Sequence, residues 1–219
     1  MTAPIVQSRD GITLLGAGAV GPEDLELALA HAPVLVAADG GAAAALAAGH
    51  LPEAVIGDLD SLPEAARAAL GPGRLHRVPE QETTDFNKCL RLTAAPFHLA
   101  VGFLGRRFDH TLAAMTELVR APGPVLALGE EDVIFRAPPR LALDLPAGTR
   151  LSLYPMGPVS GASEGLRWPV DRIGFAPAGR IGTSNEVTGP VRLALVGPML
   201  VIVPRAQLGA AVRALTAAG

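Results

Sequence analysis

The sequence predicts an α/β fold in two parts: an amino-terminal doubly wound parallel α/β sheet domain over residues 1–124 and a carboxy-terminal all-β, sandwich-like domain over residues 125–219. Three observations predict it. As far as Arg120, short apolar runs alternate with helical segments, the pattern of a parallel sheet covered on both faces. Ala121-Pro122-Gly123-Pro124 then interrupts the alternation and marks the boundary. Beyond it, short Val- and Leu-rich runs are separated by Gly/Pro turns and helical periodicity is lost.

In the first part, Ile12-Thr13-Leu14-Leu15 is the first strand, closed by Gly16-Ala17-Gly18. Pro22 to His31 follows as a helix with Pro in its first turn and Leu25, Ala28 and Leu29 on one face. Val34 to Ala37 is the second strand, and Asp39-Gly40-Gly41 turns into the helix Ala42 to Ala48, stopped by Gly49. Val55-Ile56 is the third strand, with helix Pro63 to Leu70 and a short strand Leu75 to Val78 after it. A helix from about Asp85 to Thr93, a strand Phe97 to Phe103 and a helix from about Asp109 to Arg120 complete this part. In the second, the expected strands are Val125–Leu128, Val133–Arg136, Leu141–Leu145, Arg150–Tyr154, Arg180–Gly182, Val191–Val196 and Leu200–Val203. Pro146-Ala147-Gly148-Thr149 reads as a hairpin turn, and Ala206 to Ala218 as a closing helix.

Bulk properties narrow the function classes. A net charge of −3, with no Lys/Arg run, argues against nucleic acid as a partner. No uncharged apolar stretch reaches the roughly 18 residues that span a bilayer, and the segment Met1 to Asp10 lacks the basic and apolar blocks of a secretory signal. A cytoplasmic location is expected, in keeping with one cysteine. Cys89 falls in helical phase with Phe86, Leu90 and Thr93 and reads as core filling.

The residues that could carry chemistry collect at the carboxyl ends of the predicted parallel strands, where such sheets bind ligands. Gly16-Ala17-Gly18 and Asp39-Gly40-Gly41 are turns through which backbone N–H groups could approach a phosphate. In Val55-Ile56-Gly57-Asp58-Leu59-Asp60-Ser61, two acids stand one residue apart. On an extended segment they would face the same way, and oxygen ligands of this kind suit Mg²⁺ completed by phosphates and water. Thr83-Thr84-Asp85 begins a helix, with a threonine as N-cap; Asp85 either complements the helix dipole alone or, if the strand before it lies beside that of Asp58 and Asp60, is a third acid at the same rim. Arg106-Arg107-Phe108-Asp109-His110 adds guanidinium groups able to clamp polyphosphate. In the second part, Trp168 and the polar stretch Gly182 to Glu186 most simply read as a core aromatic and a loop between strands. The alternative is a face for a flat heteroaromatic ligand.

Taken in order, Ala38-Asp39-Gly40-Gly41-Ala42, Ile56-Gly57-Asp58-Leu59-Asp60-Ser61, Gln81 with Thr84-Asp85-Phe86-Asn87-Lys88-Cys89-Leu90, Gly105 to His110, Gly165-Leu166-Arg167-Trp168-Pro169 and Thr183-Ser184-Asn185-Glu186 resemble the thiamine pyrophosphokinase family from about Val34 to Val203. The resemblance implies an ATP-binding α/β domain, a β-domain that helps hold thiamine, and a homodimer with active sites between subunits. It also implies a reaction, transfer of a pyrophosphoryl group from ATP to the thiamine hydroxyl with release of AMP. By the same resemblance Asp58, Asp60 and Asp85 match the Mg²⁺-polyphosphate site, Asp39-Gly40-Gly41 the nucleotide-side turn, and Arg107 with Asp109 the pair beside ATP. Gln81, Trp168, Ser184 and Asn185 match the thiamine side.

Two departures stand out. Ala43-Ala44 occupies a place where the family commonly has Asn-Arg, and Glu82, preceded by Glu80, replaces the usual Asp before the Thr-Asp pair. The readings that compete with the kinase are a non-catalytic thiamine or nucleotide sensor on the same fold and a nucleotide-sugar transferase using its D-x-D pair.

Overall fold

The computed structural model describes residues 3–21 and 23–217. The chain divides into two compact units, the first ending at Glu117 and the second beginning at Leu118, so that the last helix described with the first unit runs three residues past the boundary.

The first unit runs β1 (Val6–Gln7), β2 (Ile12–Leu15), α1 (Asp24–His31), β3 (Val34–Ala38), α2 (Gly41–Ala47), β4 (Ala54–Gly57), α3 (Glu64–Leu70), β5 (Leu75–Arg77), α4 (Asp85–Leu92), β6 (Thr93–Ala94), β7 (His98–Val101) and α5 (Phe108–Arg120). Pro22, expected in the first turn of α1, lies outside the described residues. The core strands β2, β4 and β7 are buried at every position, as strands covered on both faces must be. Their ladders are parallel: β2 pairs with β7, and β4 pairs with β3 and with β5. β3 lies against β2, where the Thr13 hydroxyl donates to the Ala32 carbonyl at 2.6 Å. The chain therefore leaves β2 on one side through β3, β4 and β5 and returns to its other flank with β7. The carboxyl end of β2 is the point where strand order reverses, the position at which such sheets open a crevice.

One core cluster explains the helices on the β3–β5 side. Ala37 and Val55 pack with Ala42 of α2 and with Ala66 and Leu70 of α3, and Leu59 and Leu62 of the intervening loop join them. On α4 the buried positions are Phe86, Lys88, Cys89 and Leu92; Cys89 is core, and burial pushes its thiol pKa up. The two-residue ladder between β1 and β6 was too short to leave a periodic trace in the sequence.

The second unit contains β8 (Val125–Leu128), β9 (Asp132–Arg136), β10 (Arg140–Leu143), β11 (Arg150–Pro155), β12 (Ser160–Leu166), β13 (Gly182–Val196), β14 (Met199–Pro204) and α6 (Leu208–Thr216). All of its ladders are antiparallel, in the order β8-β9-β14-β11-β13-β10, with β12 also on β13. Three sequence expectations need correction here. The two strands expected at Arg180–Gly182 and Val191–Val196 are one 15-residue strand, β13, so the stretch Gly182 to Glu186 is not a loop. β12, rich in Gly and Ser, was missed. Pro146 to Thr149 does form a turn, with Thr149 N–H donating to the Pro146 carbonyl, but it does not close a hairpin: β10 and β11 each pair with β13, at residues 191–194 and 182–186. One strand thus serves two sheets, as at a sandwich corner. In α6, Leu208, Ala211 and Leu215 form the buried stripe; Ala218, the expected end of this helix, lies outside the described residues.

Candidate active site

The first unit holds a cleft of about 650 Å³ at the carboxyl ends of its strands. Gly16, Ala17 and Gly18 after β2, Asp39 and Gly40 after β3, Asp58 after β4, and Gly102 and Phe103 after β7 all line it. The walls are completed by Gln81, Asp85 and Lys88, and by Arg106, Arg107, Asp109 and His110.

The glycines do a different job from the one expected. Gly16 N–H donates to the Val101 carbonyl and Gly18 N–H to the Gly102 carbonyl, so neither is free for a phosphate. A Cβ on Gly16 or Gly18 would stand 2.5 or 2.4 Å from the Gly102 oxygen. These residues are glycine because the turns after β2 and β7 interlock backbone to backbone. Gly41 is buried at the start of α2, where a Cβ would meet the Leu15 carbonyl at 2.1 Å.

The acids also depart from the expectation drawn from an extended D-x-D segment. β4 ends at Gly57, and Leu59 has a left-handed backbone with φ of 66°. For a leucine that conformation is unfavourable by roughly 1–2 kcal/mol, and burial of its side chain in the α2–α3 cluster offsets it. Strand alternation therefore does not govern Asp58 and Asp60. Asp58 instead folds over the turn and accepts from the Asp60 N–H at 3.1 Å and from Gln81 Nε2 at 3.0 Å. Those two hydrogen bonds, the backbone one foremost, hold its carboxyl below the usual carboxylate range. Asp60 is exposed and does not line the cleft. Among the described residues no three His, Cys, Asp or Glu side chains are gathered closely enough to hold a metal ion by themselves.

Asp85 begins α4, whose first turn is capped by Thr84 Oγ1 accepting from Asn87 N–H at 3.1 Å. Lys88, one turn on, reaches back to Asp85 with Nζ 3.0 Å from Oδ1. Sequence reasoning gave Lys88 no role, although an acid followed three residues later by a lysine on one helix was a legible signal. Asp39, expected on the nucleotide side, also lines the cleft. It is buried, with φ of 42°, and its Oδ1 has no hydrogen-bond partner. Burial raises its pKa, as do the charges of Asp85 and Asp58, against hydrogen bonds from the Ser61 side chain and the Gly40 backbone. The acids facing the cleft are thus Asp39, Asp58 and Asp85, with Asp109 at the α5 end. Hard carboxylate oxygens, one of them buried and unpartnered, fit Mg²⁺, which takes one or two carboxylates and fills its remaining positions with phosphate oxygens and water.

At that end Arg107 and Asp109 form a bidentate pair, Nε to Oδ1 at 3.1 Å and Nη2 to Oδ2 at 2.6 Å, and both are exposed. The Arg107 hydrogen bonds lower the Asp109 pKa to about 2. Arg106 reaches the Ala17 carbonyl at 3.3 Å, tying this loop to the turn after β2. Phe86 and Phe103 stack with centroids 4.3 Å apart and supply the apolar part of the wall.

The second unit brings together the other residues singled out from the sequence. Asn185 is in phase with Val187 along β13, so its side chain points inward with the apolar set. Buried there, its amide is satisfied by the backbone of Trp168: Nδ2 donates to the Trp168 carbonyl at 2.7 Å, and Oδ1 accepts from the Trp168 N–H at 3.2 Å. Trp168 is not a core aromatic; the residue is 55% exposed, with the Arg167 guanidinium 5.2 Å from the ring centroid. Ser184 is exposed, with φ of 59° and its N–H on Ser152 Oγ at 2.9 Å.

Comparison with known proteins gives a consistent picture. The family model described as thiamin pyrophosphokinase, catalytic domain, matches residues 25–125. Thiamine pyrophosphokinase 1 of Oryza sativa subsp. japonica is 31% identical over 158 residues, covering 63% of this chain and 60% of the relative. Thiamine pyrophosphokinase 1 of Arabidopsis thaliana is 28% identical over 192 residues, 72% of each chain. The chain thus spans about 60% of the length of the rice relative it matches. In fold, the thiamin pyrophosphokinase structure from Candida albicans superposes with a TM-score of 0.75 over 92% of this chain and 93% of its own, at 15% identity.

Proposed function

We propose, from the match of residues 25–125 to the thiamin pyrophosphokinase catalytic-domain model and from the relatives it resembles, that the chain is a member of the thiamine pyrophosphokinase family and transfers a pyrophosphoryl group from ATP to the hydroxyl of thiamine, giving thiamine diphosphate and AMP. The observation that carries this reading is that the matched catalytic segment contains Asp39, Asp58, Gln81, Asp85 and Arg107, distant in sequence, and that all five line one cleft. In this proposal residues 1–124 bind ATP and residues 125–219 contribute the thiamine-holding surface of Trp168, Ser184 and Asn185. The enzyme works as a cytoplasmic homodimer with active sites between subunits.

Asp58 and Asp85, which line the cleft, would hold Mg²⁺, which when bound supplies neutralisation of the ATP phosphate charge; Asp60, outside that lining, would reach it only through water. The protein's own groups do the rest by positioning and electrostatics, the larger part of catalysis in phosphoryl transfer. Gln81 keeps Asp58 oriented and ionised through its 3.0 Å hydrogen bond. Lys88 holds Asp85 in one orientation through its 3.0 Å ion pair. Arg107, exposed at the cleft mouth, offers a planar fork to a phosphoryl oxygen once Asp109 releases part of it. The interlocked turns at Gly16, Gly18 and Gly102 give the floor a rigid backbone.

The decisive experiment is incubation of the chain with ATP, Mg²⁺ and thiamine, followed by chromatography of nucleotides and thiamine esters. Thiamine-dependent formation of AMP and thiamine diphosphate in equal amounts is the expected result. Binding of both ligands without AMP would identify a sensor instead, and consumption of a nucleotide sugar would identify a transferase.

A further inference from the structure

We propose that Ser152, a buried residue of β11, is a positioning residue for the ligand face of the second unit: its hydroxyl holds a bulge in β13, and the bulge sets the aim of Ser184, Asn185 and, through Asn185, Trp168. The inference rests on the kinase reading, in which those three residues hold thiamine.

Strands β11 and β13 do not match residue for residue. Leu151 lies opposite Asn185 and Leu153 opposite Gly182, so Ser152 alone faces both Thr183 and Ser184. That two-against-one count is a β-bulge, and the residue that absorbs it is Ser184, with φ of 59°. Side chains directly opposite across a ladder share a face, so Gly182 and Asn185 both face the way of Leu151 and Leu153, which are buried. In an unbroken strand, residues three apart point to opposite faces. Asn185 is turned inward only because the bulge takes up one residue.

A bulge leaves a backbone group without its ladder partner. Here Ser184 N–H donates to Ser152 Oγ at 2.9 Å, and Ser152 is only 5% exposed. On its other side Ser152 keeps regular register with Ile202 of β14, which anchors the hydroxyl inside the sheet. Glycine takes a left-handed conformation without strain. A serine kept at that position, with its own side chain exposed, indicates that the side chain is used, and strain of this kind concentrates at functional sites.

The consequence reaches Trp168. Asn185 Nδ2 donates to the Trp168 carbonyl at 2.7 Å, while Oδ1 accepts from Trp168 N–H at 3.2 Å and from Glu186 N–H at 2.9 Å. Three backbone groups thus occupy its amide, and its part is to fix the segment from which the exposed indole stands out. A one-residue slip in β13 would turn Asn185 outward and release that segment.

The test is intrinsic fluorescence of the full chain, which reports Trp168, the one tryptophan of the sequence. Thiamine is titrated in the absence of nucleotide, and steady-state kinetics are run on the same preparation. In Ser152→Ala the emission maximum of the free protein should shift, and thiamine affinity should fall by about tenfold or more, as when ligand-holding groups are misplaced. The KM for thiamine should rise while the KM for ATP stays unchanged. Ser152→Thr keeps the hydroxyl and should keep the wild-type affinity.

Wild-type thiamine affinity in a folded Ser152→Ala would overturn the inference. So would a lowered melting temperature with emission and affinity intact, the behaviour of a merely structural hydroxyl. Equal rises in both KM values count against it, as does a loss in Ser152→Thr as deep as in Ser152→Ala, which would trace the effect to packing. Should Ser152→Ala not fold, Ser152→Cys takes its place, because a thiol sulfur is a weak acceptor: reduced thiamine affinity supports the inference and unchanged affinity ends it. The two readings separate cleanly. A wild-type chain that binds thiamine without forming AMP, and loses that binding in Ser152→Ala, ends the kinase reading and keeps the positioning role; AMP formation with a thiamine KM untouched by Ser152→Ala does the reverse.

Discussion

Lys88 Nζ stands 3.0 Å from Asp85 Oδ1, with the lysine side chain 2% exposed and the carboxylate 36%. A fully buried ammonium is tolerated only with a charged partner, and here the partner is the acid that opens α4 towards the cleft. The pair locks one rotamer of Asp85.

Replacing Lys88 by Met keeps the volume and removes the charge. Asp85 can regain water, so stability should change by no more than about 1–2 kcal/mol, whereas turnover should fall by about 10- to 100-fold, as when a partner that orients a ligand is lost. Denaturant unfolding and steady-state kinetics on the same preparation check both halves. A large loss of stability with normal turnover would show that the pair serves the fold alone.

Asn185→Ala removes both side-chain hydrogen bonds to the Trp168 backbone and leaves that carbonyl and N–H unsatisfied in a partly buried setting. The expected loss is about 1–3 kcal/mol, read from the urea midpoint. Under the thiamine-side assignment, the KM for thiamine should rise more than the KM for ATP.

Arg107→Ala should leave the melting temperature unchanged, because the Arg107–Asp109 pair is exposed, while activity falls by about tenfold or more through loss of phosphate clamping. Since Asp109 titrates near 2, lowered by its Arg107 hydrogen bonds, the pair's contribution is present above the ordinary carboxylate value of 3.8 and is lost only as pH falls towards 2. The ratio of wild-type to variant melting temperature should therefore be flat from neutrality down to pH 4.

His98 gives a pH signal of the same sign in a higher window. Burial lowers its pKa from 6.5 to about 4, so below 6.5 the unfolded chain takes up a proton that the folded chain refuses. Stability must fall as pH drops from 6.5 towards 4, by up to about 3 kcal/mol. His98 Nε2 lies 2.8 Å from Thr93 Oγ1, whose own proton goes to the Cys89 carbonyl, so the imidazole is the donor in that pair. Unfolding free energies at pH 7 and 4.5 should differ less in His98→Gln than in wild type; equal slopes would remove His98 as the cause.

Gly16→Ala should destabilise the first unit by about 1–3 kcal/mol by driving the turns after β2 and β7 apart. Gly123, where a Cβ meets nothing within 4 Å, is the control: Gly123→Ala should be near neutral or slightly stabilising. Thermal melting of the two variants beside wild type is sufficient.

Much of the first unit was legible because its signals are local. Runs such as Ile12–Leu15 and Ala54–Gly57 are apolar at every position, and the helices between them carry their own starts and stops. The second unit was harder to read. β13 looked like two strands because Gly189-Pro190 and the polar run from Thr183 to Glu186 imitate loop chemistry, and only its pairing with β11, β10 and β12 makes it continuous. The candidate site divides in the same way: Asp58, Asp85 and Arg107 stood out by type and position, but the surroundings of Asp39 and Lys88 did not.

What the sequence by itself determined is the alternation of strand and helix, the family resemblance, and which side chains are chemically able to hold a cation and a polyphosphate. Tertiary structure alone decided which of those side chains face the cleft. Leu59, drawn into the core, turns the D-x-D segment out of its extended form and leaves Asp60 in solvent, while burial leaves Asp39 Oδ1 without a hydrogen-bond partner and sets Lys88 on Asp85. Burial and hydrogen-bond occupancy are properties of neighbours brought from elsewhere in the chain, and no local pattern of residues carries them.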